Sequence, residues 1–240
     1  MGYDSFAQVV DDLRNLNKDI EVVRQELVVE REVSYESQDA RQVALDGLQC
    51  DIGACGNWIN ALTSLRALSQ EKYGYFWEQE YLKSIGTALH SGNAEDLMLD
   101  YLRNTLATKA HFKIDSLFSN LLRAHSASPE KPGFWHLSKD MLILAGICPK
   151  GPENDALLAL ANLRNSYHSN GIHNKCSKSF LISAKQFDFR QGERVECASW
   201  DHITVLLRAN ISVLSSVLLS NGLPILPGPI IDDFAATAKL

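Results

Sequence analysis

The sequence predicts an all-α fold: a helical bundle with an N-terminal helical hairpin and one small β-hairpin. Over most of the 240 residues, apolar side chains recur at steps of three and four, which is the spacing of amphipathic helices. Residues 180–196 instead alternate between apolar and polar side chains, with turn residues among them, as in a β-hairpin. Pro and Gly mark loops at 126–136 and 149–154. These patterns indicate helices joined by short loops, with one β insertion.

The overall composition is that of a globular protein, with 45% hydrophobic and 22% charged residues. A chain of 240 residues is long enough for one large domain or two small ones with a real core. Its net charge of -6 argues against a broad nucleic-acid-binding surface, because such surfaces are usually basic. Any contact with nucleic acid is therefore expected at a local site.

The cysteines and the N-terminal residues predict a cytoplasmic protein. The five cysteines are an odd number and form no CxxC pair, so neither a disulfide framework nor a cysteine metal site is expected. The start of the chain lacks the basic and apolar regions of a signal peptide. The apolar runs are too short for a membrane span, and no membrane association is expected.

Residues 1–72 are predicted to form the N-terminal helical hairpin. One apolar seam runs through an amphipathic helix at about residues 4–32, and a second seam repeats the spacing between positions 45 and 62. The polar segment SYESQDARQ between them is suited to a turn. We interpret the seams as intramolecular core; the alternative is that they bind a protein partner. The seams are Phe6, Val9, Leu13, Leu16, Ile20, Val23 and Leu27, and Leu45, Leu48, Ile52, Cys55, Ile59 and Leu62.

Residues 73–222 are predicted to form the main helical domain. Five helices are expected before the β-hairpin. The first spans 73–90, the second begins after Asn93, the third spans 111–125, the fourth begins after Ser138, and the fifth begins at Asn154 or Asp155. In the second helix, the side chains expected to face inward are Leu97, Leu99, Leu102 and Leu106. Ser199 is expected to cap a long final helix that ends near Asn221 and Gly222. The Pro-rich C-terminal tail at 223–240 is expected to pack loosely.

The stretch LANLRNSYHSNGIHN, residues 160–174, concentrates the polar groups most suited to chemistry. In a helix, Arg164 and His168 are four residues apart and lie on one face. Gly171 is suited to end that helix just past His168, which places His173 on the following loop. Arg164, Asn165, His168 and His173 are therefore the candidate catalytic residues.

These residue types fit RNA cleavage without a metal ion. Arginine binds a phosphate through two hydrogen bonds, and a histidine with a pKa near ~6.5 accepts or donates a proton at neutral pH. Asn165 could orient either group. Two histidines without a neighbouring carboxylate or thiolate are a poor metal-ligand set, and no phosphate-binding or dinucleotide-binding motif occurs, so neither a metal nor a cofactor is expected. On the residues alone, a surface arginine and a capping histidine at a helix end is the favoured interpretation.

The stretch also resembles the HEPN superfamily, whose members are bundles of four or five helices and include many RNases of toxin, antiphage and CRISPR systems. Their motif is an Arg, commonly followed by Asn, Asp or His, and then a His after four to six intervening residues. Arg164 and Asn165 match its first half; His168 follows Arg164 after three residues and His173 after eight. The resemblance covers roughly residues 73–222.

The resemblance implies a metal-independent endoribonuclease with a role in toxin or antiphage defence. It also implies a homodimer in which both copies of the motif line one cleft. Arg164 would bind the scissile phosphate of an RNA substrate, and His168 or His173 would act as base or acid. Two other functions remain open: a catalytically silent helical module that binds a protein through the hairpin, and a nucleotide- or phosphate-binding domain that uses Arg164.

Overall fold

The computed structural model describes residues 6–34, 38–72, 93–125, 133–226 and 228–231. Within these ranges the chain is mostly helical, with one two-stranded antiparallel sheet, as predicted. The elements in order are α1 (Phe6–Arg31), α2 (Ala40–Lys72), α3 (Asn93–Ala124), α4 (Phe134–Leu144), α5 (Pro152–His168), β1 (Lys178–Ile182), β2 (Lys185–Phe189) and α6 (Trp200–Leu218). The helix predicted at 73–90 lies outside the described residues. No helix in the described ranges is long and apolar enough to cross a membrane.

The N-terminal helical hairpin is present, and its two helices run antiparallel. Arg24 near the end of α1 hydrogen-bonds Gln42 near the start of α2, whereas Gln49, further along α2, donates to the carbonyl of Asn17, earlier in α1. The predicted seam residues from Val9 to Leu27 are buried, and α1 also packs against α6. The first seam therefore belongs to the core of the chain itself.

Helix α5 is the central element of the bundle. It packs against α3, α4, α6 and β1, and every residue from Ala156 to Leu163 is buried. The small residues Ala156, Ala159 and Ala161 leave room for neighbouring backbones, while the leucines fill the spaces between helices. Because α5 is held on several sides, its exposed C-terminal turn is rigidly placed. That turn carries the candidate motif.

The boundaries of α3, α4 and α5 differ from the prediction. α3 is one continuous helix, because the segment between the two predicted helices contains no Gly or Pro. Leu97, which was expected to face inward, is exposed. α4 begins one turn before Ser138, whose hydroxyl instead bonds the carbonyl of Trp135. α5 begins at Pro152, since proline is well suited to the first helical position.

The β-hairpin packs its aromatic face against the helices. Phe180 pairs with Phe187 across the two strands, and both rings are buried with Phe189. The two-residue turn places Ser183 and Ala184 at positive φ, as the right-handed twist of a tight hairpin requires. The predicted hairpin is therefore confirmed, although neither turn residue is the glycine or asparagine usually found there.

The expectation of a loosely packed C-terminal tail is wrong for its described part. Leu223 and Ile230 are buried, and Ile230 exchanges backbone contacts with the turn between α1 and α2. The buried carboxylate of Asp39 accepts a hydrogen bond from the backbone N–H of Ile230 and pairs with Arg41 at 2.6 Å. Arg31 donates to the carbonyl of Leu223. Polar side chains that the apolar pattern does not reveal thus hold the tail in place.

Candidate functional site

The C-terminal end of α5 has the geometry predicted from the sequence. The helix ends at His168, and Asn170 and Gly171 follow at positive φ. The chain then turns back along the segment after β2, where the N–H of His173 donates to the carbonyl of Glu193 and the carbonyl of Gly171 accepts from Val195. Backbone hydrogen bonds to the segment after β2 therefore fix the chain that follows the end of α5.

Arg164 lies partly buried against an aromatic ring of α3. Its Cζ atom is 4.7 Å from the centroid of the Phe112 ring, within the range of a cation–π contact. Its Nη1 donates to Oδ1 of Asn165 at 2.9 Å. Its Nε is buried and has no hydrogen-bond partner among the described residues. Since buried N–H groups are nearly always paired, an unpaired Nε sets Arg164 apart from an ordinary surface arginine.

Arg164 and Asn165 line an open cleft of about 730 Å³ between α3, the start of α4, α5 and the loop before β1. Lys175 and Lys178 also line the cleft, and Asp115 is the one carboxylate among its described lining residues. The surplus of cations is local, because the whole chain carries a charge of -6. The cleft thus carries a local surplus of positive charge on an acidic protein.

Aromatic side chains form one part of the wall of the cleft. Phe112 comes from α3, and Phe134 and Trp135 come from the first turn of α4. Phe112 is 45% exposed, and Trp135 is similarly open to solvent. A large aromatic surface beside cations is the combination that proteins use to stack unpaired nucleobases next to bound phosphates.

His111 is a member of the cleft that sequence reasoning missed. It lines the cleft, yet only 5% of it is exposed, and its ring lies 4.4 Å from that of Phe134. Burial, together with the positive charges of Arg164 and His168, lowers the pKa of His111 to about 4. His111 sits 53 positions before Arg164 in the sequence, in a helix of ordinary pattern. No local signal marks it, because only the packing of α3 against α5 brings it to the site.

Asp115 stands one helical turn after His111. Burial raises the pKa of its carboxyl group, and the positive charge of Arg164 opposes that rise. The carboxylate therefore balances part of the charge of Arg164.

His168 lies beside the cleft and not in its lining. It is exposed, and its ring is 6.4 Å from that of Phe112 in an edge-on arrangement. Arg164 and His168 thus share one aromatic neighbour, as their spacing of four residues predicts. An exposed imidazole at this position is accessible to a substrate that extends out of the cleft.

His173 is placed differently from the other candidate residues. It is 1% exposed and packs 5.4 Å from the ring of Phe189. Its Nδ1 lies 3.3 Å from Oγ of Ser166, and its Nε2 lies 3.2 Å from the carbonyl oxygen of Cys176. With both ring nitrogens engaged by the protein, His173 joins the end of α5 to the following loop and does not face the cleft.

The cysteines and the acidic groups complete the chemical description. All five cysteines are free, and Cys176 lies at the cleft among the exposed ones. In the part of the chain that the structure describes, no three His, Cys, Asp or Glu side chains converge as ligands for a metal ion. The chemistry available to the cleft from its own residues is anion binding, aromatic stacking and proton transfer.

The chain matches no protein-family model, no curated protein and no solved structure at a significant level.

Proposed function

We propose that the cleft around Arg164 binds single-stranded RNA and cleaves it without a metal ion. The observation that carries the proposal is the setting of Arg164: a partly buried guanidinium with an unpaired Nε, in a cleft lined by lysines and aromatic rings. Such a group binds a phosphodiester and offsets the negative charge that develops on it during transfer.

The reaction needs a group that accepts and donates protons, and His168 lies beside the cleft. The 2′-hydroxyl of the nucleotide attacks phosphorus, the bond to the 5′-oxygen breaks, and the products are a 2′,3′-cyclic phosphate and a 5′-hydroxyl. His168, which is accessible next to Phe112, takes the proton from the 2′-hydroxyl in this scheme and then returns it to the departing 5′-oxygen. Asn165 holds the guanidinium of Arg164 through its side-chain oxygen.

The proposed substrate is single-stranded because the aromatic wall is large and accessible. Trp135 and Phe112 present ring faces only to a base that has left its stack, and a duplex offers no such base. Lys175 and Lys178 contact the phosphates on either side of the stacked nucleotide. The acidic remainder of the chain limits binding to this local site.

Three parts of the proposal rest on the resemblance of the motif around Arg164 to the HEPN superfamily. They are a HEPN-type fold, a homodimer, and a role in toxin or antiphage defence. A silent interaction module has less support, because the apolar seam of α1 is buried against other helices of the chain.

The test is an RNase assay on labelled single-stranded RNA in the presence of EDTA. The wild-type protein is expected to cleave it and leave cyclic-phosphate ends, and Arg164→Ala is expected to lower the rate by at least about 100-fold. Arg14→Ala is the matched control, since Arg14 is exposed on α1, far along the chain from the cleft, and is expected to leave the rate unchanged.

The aromatic wall is tested in the same assay. Trp135→Ala is expected to reduce the preference for single-stranded over duplex RNA, and Trp58→Ala is its control, because Trp58 is an equally exposed tryptophan on α2. If the RNA stays intact after incubation with the wild-type protein at every pH between about 5 and 9, the proposed cleavage is refuted.

Binding of a phosphate-bearing ligand without cleavage is the second candidate function. The unpaired Nε of Arg164 and the nearby lysines favour it, because they hold a phosphate without any proton transfer. The assay separates the two functions: in this second case RNA binds, depends on Arg164, and is recovered intact.

A further inference from the structure

His111, like Arg164, has a buried side-chain nitrogen with no hydrogen-bond partner among the described residues. Nδ1 is buried and unpaired among the described residues. No hydrogen bond of Nε2 is found either, yet Nε2 is not among the buried unpaired atoms, so it is the nitrogen that retains access to the cleft. The small exposed fraction of His111 is therefore directed at the site.

The burial of Nδ1 decides where the ring carries its proton. A neutral imidazole has one N–H and one bare nitrogen, and an unpaired buried N–H is costlier than an unpaired lone pair. The favourable tautomer thus keeps the bare lone pair at Nδ1 and places the N–H at Nε2. His111 presents a hydrogen-bond donor to the cleft.

We propose that His111 is a second anion-binding residue of the cleft, whose Nε2–H donates to a phosphate oxygen that Arg164 also binds. The inference rests on the proposed function only in that the cleft takes a phosphodiester. Two donors that reach one phosphate from different helices, α3 and α5, fix its orientation as well as its position.

The charges around His111 keep it a neutral donor. Burial and the positive charges of Arg164 and His168 lower its pKa to about 4, so the ring is uncharged at neutral pH. The other ionisable residues that line the same cleft are Asp115 on its own helix, His136 on α4, Lys175 and Cys176 on the loop before β1, and Lys178 at the start of β1. A neutral N–H adds no like charge beside Arg164, and so both can serve one monoanionic phosphate.

The first test measures binding and not cleavage. The probe is a fluorescent 2′-O-methyl oligouridylate, which has a phosphodiester but no attacking hydroxyl. His111→Phe is expected to weaken binding by about 10-fold or more, because it removes a hydrogen bond to a charged group. His111→Gln keeps an N–H near the position of Nε2 and is expected to stay within about 3-fold of the wild type. His125→Gln, at the end of α3 and outside the cleft, is the control.

The second test uses the wild-type protein, because a change at a buried residue can unfold the chain. Nitrogen NMR of the His111 ring is expected to show the Nε2–H tautomer at neutral pH and a shift of that N–H when inorganic phosphate is added. The same shift should be absent in Arg164→Ala. A proton on Nδ1, or an Nε2–H that does not respond to saturating phosphate, overturns the inference.

The outcomes separate the inference from the proposed function. Suppose that the wild-type protein cleaves RNA and that folded His111→Phe binds the probe as tightly as the wild type does. This result overturns the inference but leaves the proposed function intact. A wild-type protein that never cleaves RNA but binds the probe through Arg164 and His111 overturns cleavage and supports the inference.

Discussion

The guanidinium of Arg164 lies over the ring of Phe112, 4.7 Å from Cζ to the ring centroid. The two residues come from α5 and α3, and the contact orients the arginine toward the cleft that both of them line. His168 approaches the same ring edge-on. A partly exposed aromatic ring thus links the arginine and the histidine of the motif.

Replacing Phe112 should weaken function more than stability. Phe112→Leu removes both the ring that positions Arg164 and a stacking surface of the proposed RNA site, which is worth about 1–3 kcal/mol per base, so RNA affinity should fall about 5-fold or more. Because Phe112 is 45% exposed, the melting temperature should change little. Tyr101→Leu is the control, since Tyr101 is an exposed aromatic residue of the same helix outside the cleft. Equal loss of affinity in both variants would contradict a specific role for the Arg164 contact.

The two histidines of the motif, His168 and His173, should differ in how much they contribute to the stability of the fold. His173→Ala removes a buried ring that bonds Ser166 and packs on Phe189, so we expect a loss of about 2–4 kcal/mol in urea unfolding. His168→Ala removes an exposed ring and should cost at most about 1 kcal/mol through the helix dipole. A reversed order of the two losses would show that the end of α5 is arranged differently.

His111 should make the protein less stable in acid. Its pKa is about 4 in the folded protein against 6.5 for the ordinary group, so the unfolded chain takes up the proton first as the pH falls. Stability should therefore decline between about pH 6.5 and pH 4, by on the order of 3 kcal/mol from this residue. Calorimetry should show that the stability of the wild type falls by this amount relative to that of His111→Gln as the pH is lowered from about 6.5 to 4. His125 and His202 shift in the same direction but remain in both proteins, so the difference isolates His111.

The buried ion pair between Asp39 and Arg41 holds the C-terminal tail, and removing only one of its partners should lower the stability of the protein strongly. Asp39→Ala leaves the buried Arg41 without its partner and removes the acceptor of the Ile230 N–H, for an expected loss of about 3–5 kcal/mol. Asp11→Ala breaks an exposed pair with Arg14 and should cost less than about 1 kcal/mol. Denaturant titration of the two variants measures the difference, and similar values would mean that the tail contact is weak.

The cysteines should react in two classes. Burial raises the pKa of Cys55 to about 12 and is the main cause that raises that of Cys197 to about 11. Because the thiolate is the nucleophile, a thiol reagent at pH near 8 should label these two slowly in the native protein. Cys50, Cys148 and Cys176 are exposed and should react fast. Denaturation should make all five equivalent, and a disulfide in the native protein would be found as missing thiols.

The sequence by itself determined the helical architecture, because periodicity is a local property of the chain. The seam from Val9 to Leu27 predicted α1 and its buried face, and Gly171 predicted the end of α5. The alternation around Phe180 and Phe187 predicted the β-hairpin, and the structure supplies its register. In each case the residues that decide the local structure lie within a few positions of one another.

The tertiary structure alone decided which polar residues share the cleft. His111 is brought to Arg164 by the packing of α3 against α5, and burial then lowers its pKa, which no spacing in the sequence indicates. The two histidines of the motif stand only five positions apart, yet one is accessible and the other is buried by the aromatic face of the β-hairpin. Access and protonation depend on what surrounds a side chain, and those surroundings come from distant parts of the chain.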